Sequence, residues 1–270
     1  MKKIILTAIL VMATIISFTA CGKKEAKVSE NGDYSAEIMK KGEFVLGLDD
    51  SFPPMGFRDE KGEIVGFDID LAKEAAKRMG IKVVLKPCDW DGIVLSLKNR
   101  NIDVIWNGLT ITGDRKKEIN FTKPYLKNRQ VIIIKEGTAI ADKAGLSGKV
   151  VGVQMGSSSE EAMNKFPNVE KSMKSITKYS NNTEALMELE NGRVDAVVMD
   201  EIVGRYYTNK KPGMYKVLDD NFGEEEYGVG VRKEDKEFLT KLEAALDAMK
   251  ADGTADEIAK KWFGAPVIIK

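Results

Sequence analysis

Residues 91–108 read D-G-I-V-L-S-L-K-N-R-N-I-D-V-I-W-N-G, and residues 183–200 read T-E-A-L-M-E-L-E-N-G-R-V-D-A-V-V-M-D. The two segments align at a constant offset, so that Asp103 matches Asp195. Each predicts a short helix, a polar turn and a buried strand, because the apolar spacing changes from helical to continuous. A register shared along both segments favours two similar lobes over a chance likeness between common helix-turn-strand units.

The same alternation of strands and helices continues along the chain. Short apolar runs predict strands, whereas residues 66–79 place an apolar residue at every fourth position and predict a helix. Such alternation is typical of an α/β fold with mostly parallel sheets flanked by helices. Two extended runs, 128–134 and 226–231, are predicted to cross between the lobes as a hinge. The resulting division assigns residues 41–128 and 227–270 to lobe 1 and residues 129–226 to lobe 2.

The composition excludes several classes of site. The chain has 270 residues, 42 basic and 42 acidic residues, no histidine and two cysteines. Without histidine, Ser-His-Asp catalysis, Cys-His catalysis and His-ligated metal sites are excluded. Two cysteines are too few for a multi-cysteine metal cluster, and the charge balance gives no sign of nucleic-acid binding. We therefore expect no cofactor and no metal, and no carboxylate pair has a spacing that singles it out for catalysis.

The N-terminus predicts a secretory signal peptide over residues 1–20. A positively charged start precedes an almost wholly apolar stretch, 4–18, which is shorter than the roughly 20 residues of a membrane span. The ending F-T-A-C resembles the bacterial lipobox, in which the cysteine is lipidated, although Phe18 stands where leucine is usual. The alternative is plain secretion that leaves Cys21 as a free thiol.

A polar, aperiodic segment follows the cysteine. Together with Cys21 it predicts a lipidated N-terminus and a flexible tether over residues 21–40. We therefore expect the globular part of the chain on the outer face of the cytoplasmic membrane, attached through the lipid on Cys21.

An anion seat is predicted just after the strand that ends at Trp106. In T-G-D-R, Thr112 or Asp114 can cap a new helix, whose free N–H groups and positive dipole end would face an anion. Arg115 adds a planar fork that matches a carboxylate, and Thr110 adds a hydroxyl and an amide. The alternative is that Arg115 is a solvated surface charge like the lysines that follow it.

A carboxylate is predicted at the matching place in lobe 2, where Asp200 ends an apolar strand. Burying that carboxylate is costly unless it meets a positive group, which a ligand ammonium would supply. The alternative is a helix N-cap, a position that aspartate favours. An anion seat on one lobe and a carboxylate on the other suit a zwitterion such as a free α-amino acid.

Two further features could contribute to the same cleft. The stretch 152–159, G-V-Q-M-G-S-S-S, follows a predicted strand and opens a helix, so its amides could hold the same carboxylate; the alternative is an ordinary turn and cap. It is not a Walker loop, because the G-x-x-x-x-G-K-[ST] pattern is absent. Phe52 and Trp90 lie at strand ends, where their rings could enclose a ligand side chain or belong to the core.

Several motifs resemble those of one known family. They are D-x-x-F-P-P at 49–54, G-F-D-I-D at 66–70, N-G-L-T-I-T-x-x-R at 107–115, P-Y at 124–125, G-x-V-D-A at 192–196 and K-K-W-F-G at 260–264. Over residues 42–264 the chain is similar to the extracellular solute-binding proteins of bacterial ABC importers, in their polar amino-acid group. The resemblance implies an α/β, two-lobed, periplasmic-binding-protein-like fold of type II.

The resemblance also implies contacts to the two charged groups of an amino acid. Arg115 and the backbone amide of Thr110 would bind the α-carboxylate, with help from the amide of Ser158. Asp200, the carbonyl of Gly108 and the hydroxyl of Thr110 would receive the α-ammonium.

The ligand side chain has its own set of implied contacts. Phe52 and Trp90 would enclose it, and Asp49, Asn107 and Gln154 would touch its distal end. Family members often carry a basic residue at the position of Gln154, so the ligand stays open between polar amino acids, with cystine and glutamine as candidates.

The resemblance implies a binding protein and not an enzyme. It would be a monomer that closes around one free amino acid and delivers it to the transmembrane subunits and ATPase of an importer. The alternative is an exported enzyme on the same fold, of the cyclohexadienyl or arogenate dehydratase type.

Overall fold

The computed structural model describes residues 32–269, so the predicted signal peptide and Cys21 lie outside the described residues. The strands are β1 Glu43–Leu48, β2 Ser51–Phe52, β3 Gly56–Arg58, β4 Ile64–Val65, β5 Lys82–Pro87, β6 Val104–Ile105, β7 Asn120–Phe121, β8 Leu126–Lys135, β9 Val150–Gln154, β10 Ser175–Tyr179, β11 Ala196–Asp200, β12 Tyr215–Tyr227 and β13 Gly230–Val231. The helices are α1 Ser35–Lys41, α2 Phe67–Arg78, α3 Ile93–Lys98, α4 Gly113–Glu118, α5 Ser158–Asn164, α6 Pro167–Ser172, α7 Asn182–Glu190, α8 Glu201–Lys210, α9 Lys236–Ala251 and α10 Thr254–Phe263.

Two five-stranded sheets organise the molecule. Their strand orders are β5-β1-β6-β13-β7 and β10-β9-β11-β8-β12, and a small sheet of β2, β3 and β4 accompanies the first. The first sheet pairs β1 in parallel with β5 and β6, and the second pairs β9 in parallel with β10 and β11. The remaining pairings in each sheet are antiparallel. The predicted α/β fold with mostly parallel sheets is confirmed, because four of the five strands in each sheet run in one direction. One strand in each sheet is reversed, β13 between β6 and β7 and β8 between β11 and β12.

The sequence repeat corresponds to a structural repeat. Helix α3 leads into β6, and helix α7 leads into β11. Strand β6 pairs in parallel with β1 in the first sheet, as β11 does with β9 in the second. The carboxyl ends of β6 and β11 are therefore equivalent places in the two sheets, and ligands of open α/β sheets bind beyond such ends.

Two long strands connect the sheets. Strands β8 and β12 pair antiparallel, from Leu126 opposite Tyr227 to Lys135 opposite Tyr215, with register shifts between Val217 and Glu224. The chain near the C-terminus adds a bridge at Ile268 to Leu126. The predicted segment 128–134 lies within β8, whereas the predicted segment 226–231 covers the end of β12 and then β13 of the first sheet. The division of the chain into two lobes at these segments stays a prediction.

The cores form because apolar residues of both sheets face the helices. In the first sheet Phe44, Leu46 and Leu48 of β1 are fully buried, and Phe44 meets Phe238 of α9 edge-on with ring centroids 5.6 Å apart. In the second sheet Val197 and Val198 of β11 are fully buried. None of the helices formed by residues 32–269 combines the length and the apolar character that a membrane crossing needs.

The end of the predicted tether is ordered helix, which corrects that prediction for residues 34–40. Helix α1 begins at Ser35, whose hydroxyl accepts a hydrogen bond from the Phe238 amide at 2.7 Å. The Tyr34 amide donates to Asp235 at 2.9 Å, and Ile38 is buried in the main core. The sequence signal was weak, because a single buried aliphatic residue in this short helix gives no helical period.

Candidate functional site

The segments that follow β1 and β6 meet the end of β9 and the turn after it across a cleft that is closed by direct contacts. Thr110 and Ser158 lie with their hydroxyl oxygens 2.9 Å apart. The side chain of Gln154 donates to Asp49 Oδ2 at 2.8 Å, and Nη2 of Arg115 donates to the Gly156 carbonyl at 3.3 Å. These contacts join side chains that the sequence assigned to a single site.

The turn after β6 depends on glycine at position 108. Gly108 has φ +60°, and a Cβ there would lie 2.8 Å from Phe52 and 3.2 Å from Tyr227. Its amide donates to Asp68 Oδ2 at 2.6 Å, and the same oxygen accepts from the Tyr125 hydroxyl at 2.9 Å. Burial raises the pKa of the fully buried Asp68 carboxyl to about 7. Asp68, from the G-F-D-I-D motif, therefore stabilises this turn by accepting a hydrogen bond from its backbone.

Arg115 is held at the cleft by its own helix and by two carbonyls. Thr112 caps α4 by accepting from the Arg115 amide at 3.2 Å, which confirms one of the two predicted caps. Nη1 of Arg115 donates to the Thr110 carbonyl at 3.0 Å, and its guanidinium lies 5.8 Å from the Trp90 ring centre. Burial lowers the pKa of Arg115, while the carboxylates of Glu225 and Asp200 raise it. Arg115 is thus no freely solvated charge.

Asp200 is buried and held by three donors. Its Oδ1 accepts from Asn128 Nδ2 at 2.7 Å, Gln130 Nε2 at 3.0 Å and the Tyr227 hydroxyl at 2.6 Å. Burial, and then the charge of Glu225, raise its pKa well above the usual value. Asp200 occupies the N-cap position of helix α8, as the alternative predicted, but its side chain makes no capping hydrogen bond to that helix.

Strand register explains why these donors meet Asp200. Strand β8 lies between β11 and β12, with Gln130 opposite Asp200 and Asn128 opposite Glu225. Residues two apart on a strand share a face, so both amides point to the same side. Sequence reasoning missed Asn128, Gln130, Glu225 and Tyr227. The sequence does place two polar amide side chains, Asn128 and Gln130, two positions apart just before the apolar run 131–134. That spacing could have indicated that both face the same side of a strand.

Glu225 brings a second carboxylate into the same cluster. Its Oε1 accepts from the Thr110 hydroxyl at 2.8 Å, Asn128 Nδ2 at 2.7 Å and Gln130 Nε2 at 2.8 Å. Because Asp200 Oδ1 and Glu225 Oε1 share both amide nitrogens, the two oxygens are near neighbours. The cluster thus gathers two carboxylates beside Arg115.

The other end of the cleft is built from polar groups that bond to one another. Asp49 Oδ1 accepts from the amide and hydroxyl of Ser51 at 2.9 and 2.6 Å, in addition to Gln154 on Oδ2. Gln154 in turn accepts from Asn182 Nδ2 at 3.1 Å. Burial raises the pKa of Asp49. A cavity of about 620 Å³ opens beside Asp49 and Trp90, and other acidic residues line it.

Asn107 lies behind this end of the site. Its side-chain oxygen accepts from the Asp49 amide at 3.1 Å, and it is fully buried. Its Nδ2 faces Gly56, where a Cβ would come within 2.5 Å. Asn107 thus fixes the backbone of Asp49, and its predicted contact with a ligand stays a prediction.

Phe52 and Trp90 form a pair of parallel rings. Their centroids are 6.4 Å apart and their planes differ by 7°. Both residues are buried in the closed cleft, which fits the core alternative and also fits rings that would enclose a ligand side chain. A flat group between two rings needs about 7 Å, because carbon atoms meet at roughly 3.5 Å on each side. The rings would have to part slightly to admit a ligand side chain.

The described residues do not assemble a metal centre. Within residues 32–269, no three acidic or cysteine side chains are grouped so that they could hold a metal ion. The charges of the cleft instead suit a ligand with one carboxylate and one ammonium group.

Comparison with known proteins places the chain in a family. The model for bacterial extracellular solute-binding proteins, family 3, matches residues 44–265. The L-cystine-binding protein TcyJ of Escherichia coli K12 is 32% identical over 233 residues, covering 86% of each protein.

Solved structures agree with this match. A substrate-binding protein of an ABC uptake transporter from Streptococcus pneumoniae, with bound histidine, has a TM-score of 0.86 and 34% identity over 88% of this chain and 99% of its own. The ancestral amino-acid-binding protein AncCDT-1, a precursor of cyclohexadienyl dehydratase, has a TM-score of 0.76 and 38% identity over 86% of this chain and 99% of its own. The chain belongs to family 3 of the bacterial extracellular solute-binding proteins, and its relatives are amino-acid-binding components of ABC importers, not enzymes.

Proposed function

We propose that this protein binds one free polar amino acid between its lobes, with Arg115 on the α-carboxylate and Asp200 on the α-ammonium. The observation that carries the proposal is that a cation from one lobe and a carboxylate from the other lie in one closed cleft, where Arg115 contacts Gly156 across the lobes and Asp200 is buried. Burial lowers the pKa of Arg115, and the charges of Glu225 and Asp200 oppose that shift. Thr110 and Ser158 meet beside them and would contact both charged groups. A zwitterion fits between these charges with both ends paired.

The end of the cleft at Asp49 and Gln154, where the ligand side chain would lie, indicates which class of amino acid is expected. Asp49 and Gln154 already bond across the cleft at 2.8 Å, so a ligand side chain must replace that contact with polar groups of its own. Cystine, the ligand named for the Escherichia coli relative, and glutamine both carry such groups. The histidine of the Streptococcus pneumoniae structure is a third polar candidate.

A thermal-shift screen over the twenty amino acids plus cystine, ornithine and citrulline tests the ligand class. A ligand at a hundredfold excess over its Kd stabilises the folded state by about 2.7 kcal/mol. We expect at least one polar amino acid to raise the melting temperature. No shift with any of them would contradict the proposed function.

Arg115→Ala tests the seat itself. Removing one partner of a desolvated charge pair costs about 2–5 kcal/mol of binding, so calorimetric titration should show an affinity loss of at least about thirtyfold. Lys117→Ala is the matched control, since Lys117 lies exposed on the same helix α4 and pairs with Asp114. Unchanged affinity in Arg115→Ala would remove Arg115 from the carboxylate seat.

We further propose that the protein is a lipoprotein that hands its ligand to an importer in the membrane. The support is the F-T-A-C sequence at residues 18–21 and the family's place in ABC import. Detergent phase partitioning of the expressed protein tests this, because an acylated protein enters the detergent phase. Cys21→Ala should move it to the aqueous phase, and equal partitioning of both forms would contradict acylation.

A dehydratase activity is the second candidate, favoured by the likeness to the precursor AncCDT-1. That ancestor is itself described as an amino-acid-binding protein, which weakens the case. Incubating the purified protein with prephenate and arogenate and measuring product formation decides the matter: turnover supports the enzyme, and its absence together with amino-acid binding supports the transport role.

A further inference from the structure

Glu225 lies beside the predicted ammonium seat without a role in the binding scheme above. It comes from β12, a strand that connects the lobes, and its Oε1 lies 2.8 Å from the Thr110 hydroxyl. Asn128 Nδ2 donates to Glu225 and to Asp200, each at 2.7 Å, and Gln130 Nε2 donates to both at 2.8 and 3.0 Å. Two carboxylates therefore share one set of neutral donors.

The donors at this cluster carry no positive charge. They are two amides and the hydroxyls of Thr110 and Tyr227, and the two carboxylates have like charges when both are ionised. Arg115 is a nearby cation, but its guanidinium donates to the carbonyls of Thr110 and Gly156. Two like charges close together in a buried site favour the retention of one proton between them.

We propose that Asp200 and Glu225 together form the ammonium seat, that they share one proton while the cleft is empty, and that a ligand's ammonium group displaces this proton. This inference rests on the proposed function, because it assigns a second acceptor to the same ligand group. The balance is simple: the pair passes from one shared proton to none, the ammonium keeps its three protons, and one proton leaves to solvent.

A cavity beside Glu225 offers a route for that proton. It has a volume of about 670 Å³ and is lined by Glu225, Asn128 and charged residues of both β8 and β12. Glu225 is half-buried, whereas Asp200 is 4% exposed, so Glu225 connects the seat with this cavity. The proton can therefore leave without reopening the cleft.

Other titratable and charged groups surround the pair and must be separated from it. They are Arg115 and Lys116 on α4, Lys127 and Arg129 on β8, Glu161 on α5, Glu201 on α8, and Glu224, Glu226 and Tyr227 on β12. Asp49, whose pKa is also raised, lies at the other end of the cleft. A variant confined to Glu225 isolates the pair from all of these, since the others are the same in both proteins.

The decisive measurement is calorimetric titration of the full chain with L-cystine, L-glutamine and L-arginine in turn. Each is titrated at pH 7 in two buffers of different ionisation enthalpy, which gives the number of protons released per ligand. We expect the wild-type protein to release close to one proton. At pH values where the ligand-free pair still holds its proton, the affinity of the protein for the ligand should increase about tenfold for each unit by which the pH is raised.

Glu225→Gln should reduce this effect. The substitution leaves Asp200 as the one carboxylate among the same amide donors and removes the like charge beside it, although burial still raises the pKa of Asp200. Proton release at pH 7 should therefore fall below the wild-type value, and the pH dependence of affinity should be weaker. At pH 8 the variant should bind about tenfold more weakly, since one charged partner of the ammonium is gone. Glu226→Gln, on the same strand and exposed, is the matched control and should behave as wild type.

Two results would overturn the inference in different ways. If Glu225→Gln binds the amino acid with the wild-type affinity and releases the same number of protons, the proposal of a shared proton is wrong, but the proposed function still stands. No binding to wild type of these three or of any other amino acid in the thermal-shift screen sinks both. Should Glu225→Gln fail to fold, carbon-detected NMR titration of the ligand-free wild-type protein decides: the pair should titrate in two coupled steps, and two independent titrations near pH 4 would end the proposal.

Discussion

Position 108 in lobe 1 and position 200 in lobe 2 occupy the same place in the sequence repeat, yet they contribute to the cleft in opposite ways. Gly108 has φ +60° and no room for a side chain, so lobe 1 offers backbone there. Asp200 has φ −59° and offers a carboxylate that three donors hold. One scaffold position, used twice, supplies a close backbone approach on one side and a charge on the other.

The largest expected effect concerns Asp68, which supports the Gly108 turn. Its folded pKa of about 7 lies above the ordinary 3.8, so the folded state holds a proton that the unfolded state has lost. Stability from this group is therefore present below about pH 4 and is lost as the pH rises to 7, by up to about 4 kcal/mol.

Asp68→Asn should flatten this part of the profile. Chemical denaturation at several pH values between 4 and 8 measures it as the difference between wild type and variant. Glu60→Gln, in an exposed turn, serves as the control and should follow wild type. A difference that does not change with pH would show that Asp68 is ionised throughout.

Asp200→Asn breaks the lobe 2 half of the comparison. The amide keeps the shape but removes the charge that faces the ligand ammonium, and we expect an affinity loss of about a hundredfold, or roughly 2.7 kcal/mol. Stability should hold or rise, because the amide replaces a carboxyl group whose ionised form is costly to bury. Calorimetric titration and thermal unfolding test both halves of this expectation, with the exposed Asp219→Asn as control. Undiminished affinity would locate the ammonium elsewhere.

Gly108→Ala tests the role of the close backbone approach in lobe 1. The left-handed backbone costs about 1 kcal/mol for alanine, and the 2.8 Å approach to Phe52 forces a further shift. We expect about 2 kcal/mol of destabilisation and weaker ligand binding. Gly148→Ala has a similar φ of +70° with nothing within 4 Å of its Cβ, so it should show the backbone cost alone. Equal losses in the two variants would mean that Phe52 yields without cost.

The smallest effects are expected one residue earlier, where Asn107 matches Met199. Asn107→Leu leaves the Asp49 amide without its side-chain acceptor and should cost about 1–2 kcal/mol. Met199→Leu replaces a fully buried apolar side chain by one of similar volume and should cost less than about 1 kcal/mol. Urea unfolding of both variants compares them directly, and equal costs would show that the Asn107 hydrogen bond adds nothing.

The sequence predicted those site residues whose position follows from a strand end. Arg115 and Asp200 come shortly after apolar runs or at their ends, and the repeat sets them in opposite lobes. Glu225 was missed because its place depends on the register of β8 between two partners, with Asn128 opposite it. Pairing partners so far apart along the chain leave no local pattern, so register had to come from the structure.

Contacts between residues far apart along the chain were missed elsewhere for the same reason. The family resemblance implied a ligand contact for Asn107, but no local pattern in the sequence indicated that its side-chain oxygen accepts from the Asp49 amide at 3.1 Å. The tether prediction was wrong for residues 34–40 because helix α1 is stabilised by partners roughly two hundred positions away, including Asp235 at 2.9 Å. Local composition describes such a segment poorly.

Helix α1 also determines which lobe would lie next to the N-terminal segment and its proposed membrane anchor. Tyr34 and Ser35 tie the start of the described chain to Asp235 and Phe238, which lie at the start of α9 against the first sheet. The chain between residues 21 and 33 can span at most about 40 Å. If Cys21 is acylated as proposed, lobe 1 would be the lobe attached to the membrane. Ligand capture would then be a movement of lobe 2 toward lobe 1.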